Sequence, residues 1–313
     1  MEGFEMGKVK VLTARQAADL IKDGDTVTLS GFVANGIAEA LNAAAEERFL
    51  ETGHPKDLTL FWVAGTGNKD GSHADHYAHE GMVKKVIGGH FNFVPKICEM
   101  LSENKIEGYN VPQGAIAQML RDNAARKVGT ISHVGIGTFA DPRNGGGRLS
   151  EKTKEDIVKI IELEGQEQLF YPRIPLDVAF IRGTYADELG NITLEKEMAP
   201  LDATSQAMAV HNNGGLVVVQ VERVVKAGHL DPKLVKIPGI YVDAVVECPA
   251  DDPKQSQSIN CTYDPSYAGN TQVPVSSLEP KKLDAKKIIG RRAAMELKKN
   301  VVVNLGVGVP EWV

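Results

Sequence analysis

Cysteine is scarce. The three present, Cys98, Cys248 and Cys261 in a chain of 313 residues, are spaced too widely for a disulfide framework or a C-x-x-C zinc knuckle. That scarcity fits a reducing, cytoplasmic setting. No stretch approaches the roughly 18 apolar residues of a membrane span, and Met1–Val11 mixes Glu and Lys with single apolar residues where a secretion signal has an apolar core. A basic excess is also missing: 35 Lys and Arg stand against 41 Asp and Glu, a net charge of −6, and the cations are scattered. Nucleic acid is therefore not expected as a partner. With 42% hydrophobic and 24% charged residues, the composition is that of a folded globular protein, and the length allows about two domains.

Glycine is plentiful, at 31 residues, and much of it follows short β-branched runs. Thr26–Ser30 leads into Gly31-Phe32, Leu58–Val63 into Ala64-Gly65-Thr66-Gly67, and Val178–Ile181 into Arg182-Gly183; a further run covers Gly215–Val221. Between the runs lie amphipathic segments. Thr13–Lys22 carries Ala14, Ala17, Ala18 and Ile21 at helical spacing, with Thr13 as N-cap and Gln16 as its capping-box partner, and Gly36–Phe49 is rich in Ala, Leu and Glu. Alternating strand and helix predict an α/β fold with a largely parallel sheet flanked by helices. The expected divisions are an α/β domain over 1–248, a polar loop and linker over 249–285, and the start of a second, related domain over 286–313. The last division rests on a repeat, in which Lys298–Leu305 and Gly306 answer the strand and glycine at Asp23–Gly31, and Gly308-Val309-Pro310-Glu311 answers Gly36-Ile37-Ala38-Glu39.

Several motifs have a plain structural meaning. Gly65-Thr66-Gly67 lacks the third glycine of a dinucleotide loop. His73, His76 and His79 lie beside Asp75 and Glu80, but six residues carry the outer pair well round a helix, so a solvated or capping cluster is expected and no metal. Gly145-Gly146-Gly147 has no Lys-Ser/Thr to complete a phosphate loop and reads as a tip. Adjacent Ser132 and His133 point apart, and Asp187 with Asn191 forms a hairpin turn. Two places suggest a ligand. Gly31 lets the backbone approach one while Phe32, Val33 and Asn35 wall a pocket, and Gln113 with Gly114, opening a helix, can offer hydrogen bonds to a small carboxylate.

Taken in order, these pieces resemble the family I coenzyme A transferases, above all the single-chain propionate (lactate or acetate) CoA-transferases. The resembling stretches are Asp23–Val27 with Ser30-Gly31-Phe32, Tyr109–Gly114, Val134–Phe139 with Asp141-Pro142-Arg143, Ile181–Asp187 with Gly190-Asn191, and Ile237–Asp243. The resemblance implies two related α/β domains and ping-pong transfer through a glutamyl-CoA thioester, with acyl-CoA and short-chain carboxylates as substrates and no cofactor beyond CoA itself. It places the nucleophilic glutamate on the second domain, past Val313, so the chain is expected to be an N-terminal portion, inactive alone, that works with a C-terminal half or companion subunit. Its cut edge makes a homo-oligomer the expected state. Ala38 departs from the family's first signature, which commonly has Pro there. Glu39 and Glu311 open helices, the dipole-favoured place for Glu, so no residue is assigned as catalytic. The rival readings are a sugar-phosphate isomerase, needing Arg143 and Arg148 as a phosphate clamp, and a non-catalytic acyl-CoA or carboxylate binding module.

Overall fold

The computed structural model describes residues 7–306 and 308–313, so the reading of the first six residues lies outside it. Two compact units result, Met1–Asn270 and Thr271–Val313.

The first unit is organised by eight parallel strands: β1 (Lys10–Leu12), β2 (Thr26–Leu29), β3 (Leu58–Trp62), β4 (Val83–Gly88), β5 (Glu107–Asn110), β6 (Val178–Arg182), β7 (Leu216–Val221) and β8 (Ala244–Glu247). Their order across the sheet is β1-β8-β7-β6-β2-β3-β4-β5. The β-branched runs become strands because both faces are covered, and their side chains divide by the period of two. Leu60, Trp62, Val178 and Phe180 enter one core with Ala17, Leu41 and Ile97, whereas Phe61, Val63, Ala179 and Ile181 enter the other with Ile116, Leu120 and Val210.

Helices α1 (Ala14–Ala18), α2 (Glu39–Thr52), α3 (Pro95–Ser102), α4 (Gln113–Ala124) and α5 (Ala203–Asn212) supply those covers. Thr13 and Gln16 form the expected capping box, the Gln16 amide donating to Thr13 Oγ1 at 3.2 Å and the Thr13 amide to Gln16 Oε1 at 2.9 Å. Gly53 ends α2 in the left-handed region at φ 71°. An antiparallel sheet of Gly129–Ser132, Gln166–Pro172 and Lys159–Leu163 adds Leu169 and Tyr171 to the second core.

The polar stretch after Cys248 is built differently from the expected surface loop. Up to Asn270 it belongs to the first unit, and Gln255 and Gln257 are buried. Gln220 Nε2 donates to the Lys254 carbonyl (2.9 Å) and to Gln255 Oε1 (2.6 Å), and Gln257 Nε2 donates to the Lys196 carbonyl (2.7 Å). Paired amides enter a core where single ones would not.

The second unit holds α6 (Ala285–Ala294), capped by Asp284, and a short turn, Val309–Trp312, whose Trp312 packs where a Cβ on Gly290 would stand. The strand expected at Lys298–Leu305 does not form: 301–306 have no regular structure and are exposed. An extended segment becomes a strand only with a neighbour for its N–H and C=O groups, and none of the described residues pairs with it. Among the described residues no helix is long and apolar enough to cross a membrane.

Phe180 is fully buried on a central strand. Phe180→Ala should cost about 3–5 kcal/mol in urea unfolding, against less than about 0.5 kcal/mol for exposed Val302→Ala. Equal losses would show that the sheet core does not carry the stability.

Candidate functional site

Along the sheet, the chain runs outward from β2 through β3 and β4 to β5, and in the other direction from β6 through β7 to β8. β2 and β6 lie side by side, with Val27 opposite Val178 and Leu29 opposite Phe180, yet the connections that leave them diverge. A crevice must open at their carboxyl ends, which is where open parallel sheets bind ligands. A cleft of about 570 Å³ is found there, lined by Ala34, Ile37 and Glu39 after β2, by Asn68 and His73 after β3, by Arg182 at the end of β6, and by the segment 253–262.

The loop after β2 is tightly held. Gly31 has φ 125°, and a Cβ there would sit 1.9 Å from Ile37 Cδ1, so glycine is required on both counts. The Phe32 amide donates to the Asn35 carbonyl (2.9 Å), and Asn35 Nδ2 donates back to the Phe32 carbonyl (2.5 Å). Val33 bonds the next loop through its amide to the Gly65 carbonyl (2.6 Å) and its carbonyl to the Gly67 amide (2.9 Å). Phe32 is left 44% exposed. Ser30 Oγ donates to the Gly36 carbonyl (2.6 Å) and accepts from the Arg182 amide (3.3 Å), joining this loop to the end of β6.

Gln113 and Gly114 stand elsewhere on the same edge. They are exposed at the start of α4, beyond β5, where Gln113 packs against Gly89 at the end of β4. Of the loop after β2, Ala34 and Ile37 line the cleft, whereas Gly31, Phe32, Val33 and Asn35 shape the loop beside it without being among its lining residues, and Gln113 and Gly114 lie across the β3 and β4 loops from it.

The three histidines form an alternating chain with two glutamates of α2. His73 Nδ1 lies 2.8 Å from Glu39 Oε2, His76 Nε2 lies 2.8 Å from Glu39 Oε1, His76 Nδ1 bonds Glu46, and His79 Nε2 is 2.6 Å from Glu46 Oε1. Burial raises the Glu39 carboxyl, but the two imidazoles outweigh it and hold its pKa at about 2. Burial lowers His76 while Glu39 and Glu46 raise it, with a net increase. Both His76 nitrogens face carboxylates, which only accept, so the ring is an imidazolium. The expectation of a solvated or capping cluster is therefore corrected: the turn at His73–Tyr77 has no side-chain cap, and the histidines form a largely buried ion-pair chain with α2, whose glutamates lie too far off in sequence to be read from the histidine spacing.

On the opposite wall Arg182 and Glu197 are 3% exposed and pair at 3.1 Å between Nε and Oε1. Burial drives the Glu197 carboxyl upward against the attraction of Arg182. The guanidinium also bonds the Ser256 carbonyl, fixing the 253–262 wall to β6. Neither residue had a local signal in the sequence, since their partners lie 15 and 74 positions away. The arginines required for a phosphate clamp are otherwise engaged: Arg143 binds Asp141 and Glu167, and Arg148 binds Asp156 at 2.9 Å. Asp187 accepts the Leu189 and Asn191 amides, as a turn residue does.

The histidine chain has a defined pH window. The raised His76 pKa gives stability that is complete below its unfolded value of about 6.5 and fades as pH rises through the folded value; the lowered Glu39 pKa gives stability present above about 4.5 that fades toward pH 2. His76→Gln should cost roughly 1.5–3 kcal/mol at pH 6 and distinctly less at pH 9 in thermal unfolding. A loss independent of pH would contradict the imidazolium.

Comparison with known proteins agrees with this architecture. The coenzyme A transferase family model matches residues 11–248. The chain is 40% identical over 310 residues to acetate CoA-transferase YdiF of Escherichia coli (strain K12) and 41% identical over 301 residues to caffeate CoA-transferase of Acetobacterium woodii, covering 98% and 96% of this chain and 57% of each relative. The crystal structure of the YdiF apoenzyme from Escherichia coli O157:H7 superimposes with a TM-score of 0.90 at 39% identity, covering 97% of this chain and 58% of that one. Glutaconate coenzyme A-transferase from Acidaminococcus fermentans shares the fold at a TM-score of 0.64 and 21% identity, over 83% of this chain and 82% of that one. The chain thus spans a little over half the length of the curated relatives it matches, and it belongs to the coenzyme A transferase family.

Proposed function

We propose that the chain supplies the acyl and carboxylate pocket of an acyl-CoA:carboxylate CoA-transferase for short acids of the acetate, propionate and lactate kind. The observation that carries this reading is the Gly31–Asn35 loop, locked by its own hydrogen bonds at the margin of a switch-point cleft in a chain of this family. Phe32, exposed, and Val33, half-buried, form the apolar wall, and Gln113 with the amides opening α4 meets the carboxylate from the far side of the same edge.

Transfer runs by a ping-pong route. A glutamate carboxylate attacks the thioester carbonyl and expels CoA as thiolate, which then attacks the glutamyl carbonyl of the resulting anhydride and releases the first acid; the second acid reverses both steps. Charge is conserved at each step, so no cofactor beyond CoA is needed. A carboxylate is a weak nucleophile, and the barrier falls through positioning and remote binding energy. Glu39 is unsuited to attack, since two imidazoles occupy its oxygens, and Glu197 is buried against Arg182. We place the nucleophile in the share of the relatives' length that this chain does not span, on a further domain or a companion polypeptide.

The test is conversion of acetyl-CoA and propionate to propionyl-CoA by the chain together with that partner. Gly31→Ala, which displaces the loop by the width of a methyl, should lower kcat/KM about 100-fold, and Gln113→Ala should raise the KM for propionate roughly tenfold with one hydrogen bond lost. A folded complex that makes no propionyl-CoA, or that ignores Gly31→Ala, would contradict the proposal.

A further inference from the structure

One nitrogen of the histidine chain is left over. His73 lines the cleft and is 8% exposed, and its Nε2 is buried with no hydrogen-bond partner among the described residues. A buried polar atom left unpaired costs about 1–3 kcal/mol, and the ring is held where it cannot relieve that loss. Its Nδ1 lies 2.8 Å from Glu39 Oε2, its own amide donates to the same oxygen at 3.2 Å, and its backbone sits in the left-handed region at φ 61°. What Nε2 offers follows from what Nδ1 does. The Glu39 carboxyl is ionised and only accepts, so Nδ1 carries a proton. Nε2 then presents a lone pair when the ring is neutral and an N–H when the ring is charged.

The charges around the ring leave room for that second proton. On α2, Glu39 and Glu46 share the imidazolium of His76, which leaves a negative charge over. Asp70, on the loop before His73, adds another that interacts with the His73 ring, while Asp75 of the same turn faces the Lys96 and Ile97 amides of α3. The cations on the facing elements are Lys96 of α3, beside Gly71, Arg182 of β6, which is paired with Glu197, and Lys254 of the 253–262 wall, 3.9 Å from Glu47. Anions close to an imidazole favour its charged form. An entering carboxylate adds to them, and because a carboxylate only accepts, it pairs with Nε2 as an N–H and is repelled by its lone pair.

We propose that His73 is a proton-coupled switch: a carboxylate entering the cleft accepts a hydrogen bond from Nε2, and one proton is taken up from solvent onto that nitrogen as it does so. Carboxylate affinity is thereby set by pH. The inference rests on the transferase reading and adds the regulation of its site. The only bond formed is N–H; the carboxylate stays ionised and the product is an imidazolium–carboxylate pair. Glu39 is the positioning residue that fixes the ring and its Nδ1 proton, and His79, the most exposed of the three histidines, is the end of the chain that solvent reaches. The carboxylate comes either from the free acid or from the glutamate of the share of the enzyme that this chain does not span.

Nitrogen NMR of the full chain labelled at histidine tests this, first with propionate and then with the complementing partner in place of propionate. The His73 Nε2 signal should move from the lone-pair to the N–H position, on adding propionate if the free acid is the source and on adding the partner alone if the glutamate is. Affinity for whichever carboxylate moves it should be flat below the pH at which the free ring gives up its proton and fall about tenfold per pH unit above it, the slope of one proton bound. His73→Gln keeps a donor whose character does not change with pH, so its affinity should be flat throughout. A signal that neither addition moves, or a slope that survives in His73→Gln, overturns the inference. If the complemented enzyme still makes propionyl-CoA in that case, the transferase reading stands alone; if it makes none, both fall.

Discussion

The pairing of β2 with β6 governs the rest of the molecule. The two strands share a parallel register and are tied at both ends, by the Thr26 amide on Asp177 Oδ2 (2.8 Å) and by the Ser30 amide on the Phe180 carbonyl (3.0 Å), while the chain leaves them in opposite directions. Because their side chains are buried on both faces, the only place where ligand-facing groups can collect is the edge beyond their carboxyl ends. The loop after Ser30, the end of β6 at Arg182 and the 253–262 wall all converge there, and Ser30 Oγ and the Arg182 guanidinium link the three.

Charge at that edge is arranged to cancel locally. Arg182 and Glu197 are desolvated together, and breaking such a pair leaves an uncompensated buried charge, which costs far more than the pair itself contributes. On the other wall, Glu39 and Glu46 alternate with three imidazoles and fasten α2 to the turn at His73–Tyr77. The cleft between them is lined by these paired charges together with neutral hydroxyls and amides, and His73 Nε2 is buried there with no hydrogen-bond partner among the described residues.

Much of the sheet was legible in the sequence because its signals are local. The β-branched run at Val178–Ile181 is buried on both faces, and Thr13 with Gln16 caps its own helix. The loop at Gly31 was legible for the same reason, since a glycine after a strand has a local conformational meaning. The segment after Cys248 was not: Gln255 and Gln257 look like loop residues until Gln220, Gly183 and Lys196 are brought to them by the fold. The partners of the histidines likewise come from 30 to 37 residues upstream. The apolar run at Val301–Val303 shows the converse, a strand pattern left unpaired, because β structure depends on a neighbour that composition does not reveal.

The central claim is that acyl-CoA chemistry is served by the edge where β2 and β6 diverge. Amide hydrogen exchange of the chain with and without saturating acetyl-CoA tests it directly. The account predicts slowed exchange at 31–39, 68–73 and 253–262, with little change in the antiparallel strands Lys159–Leu163 and Gln166–Pro172. Protection confined to those antiparallel strands, with the β2 and β6 loops unaffected, would contradict it.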